Sequence, residues 1–153
     1  PYHFPEKLIP LAITNLLEGK KVPVYGDGRQ IRDWLFVEDH CRAIDLVFRQ
    51  GRIGETYCVG GNGERENIWI VEELLRLLGK NETSIEYVTD RLGHDRRYAI
   101  DFEKIRTELG WEPSVSLEEG LQETVAWFRA NTEWWQRVKS GEYQTYSEHY
   151  GKK

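Results

Sequence analysis

The chain has 153 residues, 39% hydrophobic and 31% charged with 14 glycines, a composition that suits one globular domain and excludes a disordered chain. Its 21 basic and 26 acidic residues leave a formal charge of −5, which argues against binding nucleic acid or an anionic membrane surface. An anionic ligand therefore needs a local basic site. The longest apolar runs, Leu8 to Ile13 and Ile68 to Val71, fall far short of the roughly 20 residues that span a bilayer, and no leader opens the chain, so a soluble, cytoplasmic protein is expected. Cys41 and Cys58 lack a partner at ligand spacing and read as small buried hydrophobes rather than a disulfide or zinc site.

In chain order, apolar residues from Leu8 to Leu17 recur at helical spacing and Gly19 ends the first helix. Residues 21–25 and 31–37 read as two strands around the Gly26-Asp27-Gly28 turn. Glu38 and Asp39 open a helix carrying Cys41, Ile44, Val47 and Phe48 on its apolar face, and Gly51 closes it. Thr56 to Val59 reads as a buried strand and residues 60–66 as a glycine-rich loop. Asn67 is placed as the cap of a helix with Ile68, Val71, Leu74, Leu75 and Leu78 on one face. A strand over Ile85 to Val88, a polar loop over 89–97 and a short helix capped by Asp101 follow. Ser116 and Glu119 form a capping box for a helix through Phe128, which Trp134 and Trp135 continue. The fold class is α/β, with mixed helices and short strands. Residues 1–138 form the folded unit, and 139–153 a polar, loose tail.

The glycines at 60, 61 and 63 imitate a dinucleotide fingerprint, but Glu66 stands at its third glycine position and, with Glu64, puts carboxylates where pyrophosphate would sit. This loop reads as a turn into a helix. The segment Asp90 to Tyr98 gathers three arginines and a histidine within seven residues, which suits either an anion site or a solvated charged loop. Arg32 shares a strand face with Trp34 and Phe36, an awkward place unless the strand opens on a polar cleft or a carboxylate pairs with it. Tyr25, beside the turn, is suited to stacking on a flat base or to filling the core. No complete catalytic, cofactor or metal constellation is present and methionine is absent, so the chain reads as part of a longer protein.

PYHFPEKLIP at 1–10, VPVYGDG at 22–28, RDWLFVEDH at 32–40, GETYCVGG at 54–61 and DRLGHDRRYAID at 90–101 together resemble the carboxy-terminal half of the dTDP-glucose 4,6-dehydratases, which are extended short-chain dehydrogenases/reductases. The resemblance covers about residues 1–145. It implies the smaller, substrate-binding part of such an enzyme, with the Rossmann half absent. In that family the amino-terminal half holds NAD and carries the Tyr-x-x-x-Lys pair and the Asp-Glu acid and base, none of which occurs here. NAD is then the cofactor of the parent and is not bound by this chain alone. The implied partners are a dTDP-sugar, the missing amino-terminal half and, for the parent, a second copy of itself.

By position, the resemblance places Lys7 and Leu8 beside the sugar nucleotide, and Pro23, Val24 and Tyr25 at the thymine base. It sets Arg32 on the diphosphate and Asn67 at a helix start facing the ligand. Asp90, Arg91 and His94 fall on the diphosphate and ribose loop. Leu92 replaces a proline common in the family, which predicts a more mobile loop. The rivals are a fragment of another nucleotide-sugar epimerase or decarboxylase, and a non-catalytic nucleotide-binding module.

Overall fold

The computed structural model describes residues 2, 3 and 5–140. Six helices and four short strands follow in the order α1 (Leu8–Leu17), β1 (Val22–Tyr25), β2 (Ile31–Asp33), α2 (Val37–Gln50), β3 (Glu64–Glu66), α3 (Asn67–Leu78), β4 (Ile85–Val88), α4 (Glu103–Leu109), α5 (Leu117–Ala130) and α6 (Thr132–Lys139). This is the expected α/β class, but the strands do not pair as expected. β1 lies parallel to β4, Val22 opposite Ile85 and Tyr25 opposite Val88, while β2 runs antiparallel to β3. The strands flanking the Gly26-Asp27-Gly28 turn are therefore no hairpin. The turn instead hands the chain from one small sheet to the other.

The turn needs its glycines for two reasons. Gly26 and Gly28 have φ of 58° and 73°, which side chains disfavour. A Cβ on Gly28 would also lie 2.8 Å from Val24 and 2.9 Å from Ile68, and one on Gly26 would lie 3.0 Å from Asp90 Oδ2.

The main core joins α1, α3, α5 and α6 to β1. Val22 and Val24 alternate inward from β1 against Ile13, Leu16, Ile70 and Leu74, and Trp135 seals the far side with its indole N–H on the Phe128 carbonyl at 2.9 Å. α6 is a separate helix after Asn131 and not a continuation of α5. Its Lys139, where the tail was expected to begin, still donates to Thr14, Asn15 and Glu18. Residues 141–153, the rest of that tail, lie outside the described residues.

A second, smaller cluster of Ala43, Ile105 and Trp111 joins α2 to α4. Here the helical pattern misleads. α2 buries Ala43 and the charged Asp39, while Cys41, Ile44 and Phe48 face out, Ile44 at 55% and Phe48 at 88% exposure. Thr56 to Val59 belongs to no strand, and Thr56 and Cys58 are exposed. Both cysteines are thus surface thiols: Leu46, Val47, Tyr57 and Val59 turn toward the second cluster, and Cys41 and Cys58 turn away from it. Residues 64–66 of the expected loop form β3, and the N-cap of α3 is Glu66, with Asn67 the first helical residue.

Candidate ligand site

The Arg32-Asp33 pair sends its two side chains to two different loops. Asp33 accepts the amides of Gly61 (2.8 Å) and Gly63 (2.9 Å), folding the glycine loop onto the chain after β2, where a side chain on Gly61 would run into the Trp34 carbonyl. The loop's amides are engaged by Asp33, and Glu64 is paired with Arg97. These residues do not fit a dinucleotide pyrophosphate, and no step through NAD is assigned to them. Arg32 points to the other loop, donating to the carbonyl of Asp95 at 3.0 Å and lying 4.3 Å over the Tyr98 ring. β2 ends at Asp33, so the expected strand face shared with Trp34 and Phe36 does not form, and no carboxylate among the described residues pairs with Arg32.

The segment 90–98 is pinned to β2 through Ile31, whose amide donates to the Arg96 carbonyl at 2.8 Å and whose carbonyl accepts from Tyr98 at 3.0 Å. Its arginines then divide into two kinds. Arg96 pairs with Asp27 of the turn and Arg97 with Glu64 of β3, so these two are structural staples. Arg91 has no carboxylate partner among the described residues and lies 5.3 Å over the Tyr25 ring. Arg32 reaches this same segment from β2, through the Asp95 carbonyl and the Tyr98 ring. Neither guanidinium has a carboxylate partner among the described residues and each lies against an aromatic face; Arg32 gives Nη1 and Nη2 to the carbonyls of Ile31 and Asp95, and the donors that remain on the two suit phosphate oxygens.

Asp90 organises the start of this loop. Its Oδ1 accepts the Arg91 amide at 2.8 Å and meets His94 Nδ1 at 2.6 Å, while Oδ2 accepts from Gln30 at 2.8 Å. The bond from His94 holds the Asp90 carboxyl below the usual carboxylate range, against the partial burial that opposes it. The His94 side chain is only 5% exposed and meets Tyr25 edge-on. Leu92 stands fully exposed at a turn closed by the His94 amide on the Arg91 carbonyl.

The structure thus brings Tyr25, Arg32, Asp90, Arg91 and His94 together. Tyr25 is 41% exposed and does not fill the core. Asn67 begins α3 with its amide on the Gln30 carbonyl, and its side-chain oxygen is buried without a partner among the described residues. Pro23 is half-buried and Val24 fully buried, so Val24 has only its backbone to offer a ligand. Lys7 and Leu8 stand apart at the start of α1, with Lys7 beside Glu6 and Leu8 packed on the main core. The cavities of about 580 and 470 Å³ beside Trp34 and Ser116 are lined by none of the gathered residues.

The sequence reading missed Gln30, Asp33 and Asp39. The adjacency of Asp33 to Arg32 and of Asp39 to a helix start were the available signals. Neither reveals that Asp39 is fully buried and accepts from Arg42, Ser114 and Val115.

The GDP-mannose 4,6 dehydratase family model matches residues 1–124. The chain is 55% identical over 153 residues to a dTDP-glucose 4,6-dehydratase of Xanthomonas campestris, covering 94% of this chain and 44% of the relative. It superimposes on the dTDP-glucose 4,6-dehydratase of Bacillus anthracis in complex with NAD, with a TM-score of 0.87 and 59% identity over 91% of this chain and 44% of that one. The Streptomyces venezuelae dTDP-glucose 4,6-dehydratase with NAD and TYD bound gives 0.89 and 50% identity over 91% of this chain and 43% of that one. The chain therefore spans less than half the length of the curated relatives it matches. It belongs to the GDP-mannose 4,6 dehydratase family and is similar in sequence and fold to part of the dTDP-glucose 4,6-dehydratases.

Proposed function

We propose that this chain is the nucleotide-gripping, carboxy-terminal half of an NAD-dependent dTDP-glucose 4,6-dehydratase, and that it is inactive without the amino-terminal half. The observation that carries the reading is the division of the arginines: Arg96 and Arg97 are neutralised by Asp27 and Glu64, whereas Arg91 in this segment and Arg32, which reaches it at Asp95 and Tyr98, have no carboxylate partner among the described residues. A diphosphate supplies the missing counter-charge, with Arg32 and Arg91 holding it between them. Tyr25 offers its ring to the thymine base beside them, and Asn67 and His94 border the ribose and phosphates. Similarity to a dTDP-glucose 4,6-dehydratase with NAD and TYD bound supports that ligand.

The work of this half is orientation. It fixes the nucleotide so that the hexose projects toward catalytic groups and NAD on the other half, where the 4-keto-6-deoxy sugar is made. Each charge-assisted bond contributes roughly 1.5–3 kcal/mol, so Arg32→Ala and Arg91→Ala are each expected to weaken dTDP binding by the parent enzyme about 10- to 150-fold. Lysine at either position restores charge without bidentate geometry and should recover part of the loss. Calorimetric titration of the parent with dTDP reads both effects. Wild-type affinity in both alanine variants would return 90–98 to a solvated charged loop.

A further inference from the structure

Gln30 links the start of β2 to the ligand loop and has no role in the reading above. Its side chain is 2% exposed. The Nε2 donates to Asp90 Oδ2 at 2.8 Å, whereas Oε1 is buried without a partner among the described residues. The amide cannot be turned to satisfy that oxygen, because its carbonyl would then face the Asp90 carboxylate. A buried polar group is rarely left with one end unmet, and here the cost is borne to keep the other end on Asp90.

We propose that Gln30 is a positioning residue for the ligand site: from beneath the loop, its amide sets the Asp90 carboxylate in the orientation that fixes His94 and the Arg91 backbone before any ligand arrives. The geometry supports a chain of command. Gln30 is itself held, its carbonyl accepting the Asn67 amide at 2.9 Å. Asp90 is confined on another side by Gly26, where even a Cβ would approach Oδ2 to 3.0 Å. With Oδ2 taken by Gln30, Oδ1 is left for His94 and the Arg91 amide. The lowered Asp90 pKa, set first by the bond from His94, keeps the acceptor charged for all three donors. Asp90 and the Arg91 segment it organises lie at the proposed ligand site, and Gln30 acts only through them.

This inference rests on the proposed dTDP site, so its test separates the two. Gln30→Leu keeps the bulk and removes the donor. In the parent enzyme it is expected to weaken dTDP binding about 5- to 20-fold. It should also move the imidazole nitrogen resonances of His94 in the ligand-free protein, assigned by loss of signal in His94→Gln. The exchange Gln30→Glu with Asp90→Asn reverses donor and acceptor across the pair, and should recover most of the affinity that Gln30→Leu loses. Wild-type affinity and unmoved His94 resonances in Gln30→Leu would overturn the proposal. So would weaker binding with a lower melting temperature but unmoved His94, which would make Gln30 a packing residue only. If the wild-type parent binds no dTDP, the ligand assignment falls, and the His94 spectra alone decide whether Gln30 orients the loop.

Discussion

Asp39 is the residue whose role departs furthest from its sequence context. At the start of α2 it looks like an acid placed for the helix dipole, yet it is fully buried and ties α2 to residues 111–115. Burial pushes its carboxyl upward, but the Val115 amide, Arg42 and Ser114 outweigh that and hold it below the ordinary carboxylate range. Because its folded-state pKa is depressed, the stabilisation is complete above the unfolded value of about 4 and is lost as pH falls through the lower, folded value. Acid unfolding should therefore begin below about pH 4 and begin at a higher stability in wild type than in Asp39→Ala. That variant leaves buried donors unmet and should cost about 3 kcal/mol in urea unfolding at neutral pH, with a smaller difference at strongly acidic pH, where the ionisation-linked part is lost and the unmet amides of Ser114 and Val115 still count.

At the scale of elements, two local devices are separable from the ligand site. Ser116 and Glu119 form a reciprocal capping box, the serine accepting from the Glu119 amide at 3.2 Å and the glutamate from the Ser116 amide at 3.1 Å. Ser116→Ala should lower stability by about 1 kcal/mol, read as a shifted denaturant midpoint with an unchanged slope. The Gly28 turn is less forgiving, since alanine there meets a left-handed φ and two core side chains at once. Gly28→Ala should cost about 2 kcal/mol or more in the same measurement, and should displace Ile68 at the start of α3. α5 was legible because its cap and apolar face agree locally. The pairing of β1 with β4 was not, because short strands reveal nothing of partners some 60 residues away.

For the molecule as a whole, the stripe Cys41, Ile44 and Phe48, together with fully exposed Ile53, has no covering layer among the described residues. Apolar surface of this kind favours association. The 153-residue chain should therefore elute larger than a monomer in a concentration-dependent way, and Ile44→Lys with Phe48→Glu should shift it toward monomer. A sharp two-state melt of a monodisperse wild-type monomer would contradict this. The stripe also explains the misread helix: periodicity reports that α2 has an apolar side, and cannot report whether the covering partner is in the same chain.

The sequence by itself determined the helices, the class of fold, the GDG turn and the basic loop at 90–98, because caps, glycine φ requirements and apolar periodicity are short-range properties of the chain. It also carried the resemblance by which Arg32 and Arg91 were singled out together. What only the tertiary structure decided is which charges are spent. Arg96 and Arg97 look the same as Arg91 in the sequence, but Asp27 and Glu64 arrive from the turn and from β3 to neutralise those two and leave Arg91 over the Tyr25 ring with no carboxylate partner among the described residues. Gln30, an unremarkable polar residue in the chain, becomes buried beneath Asp90 for the same reason. Electrostatic pairing and burial depend on distances across the fold, and those are set by strand pairing and core packing rather than by neighbours in sequence.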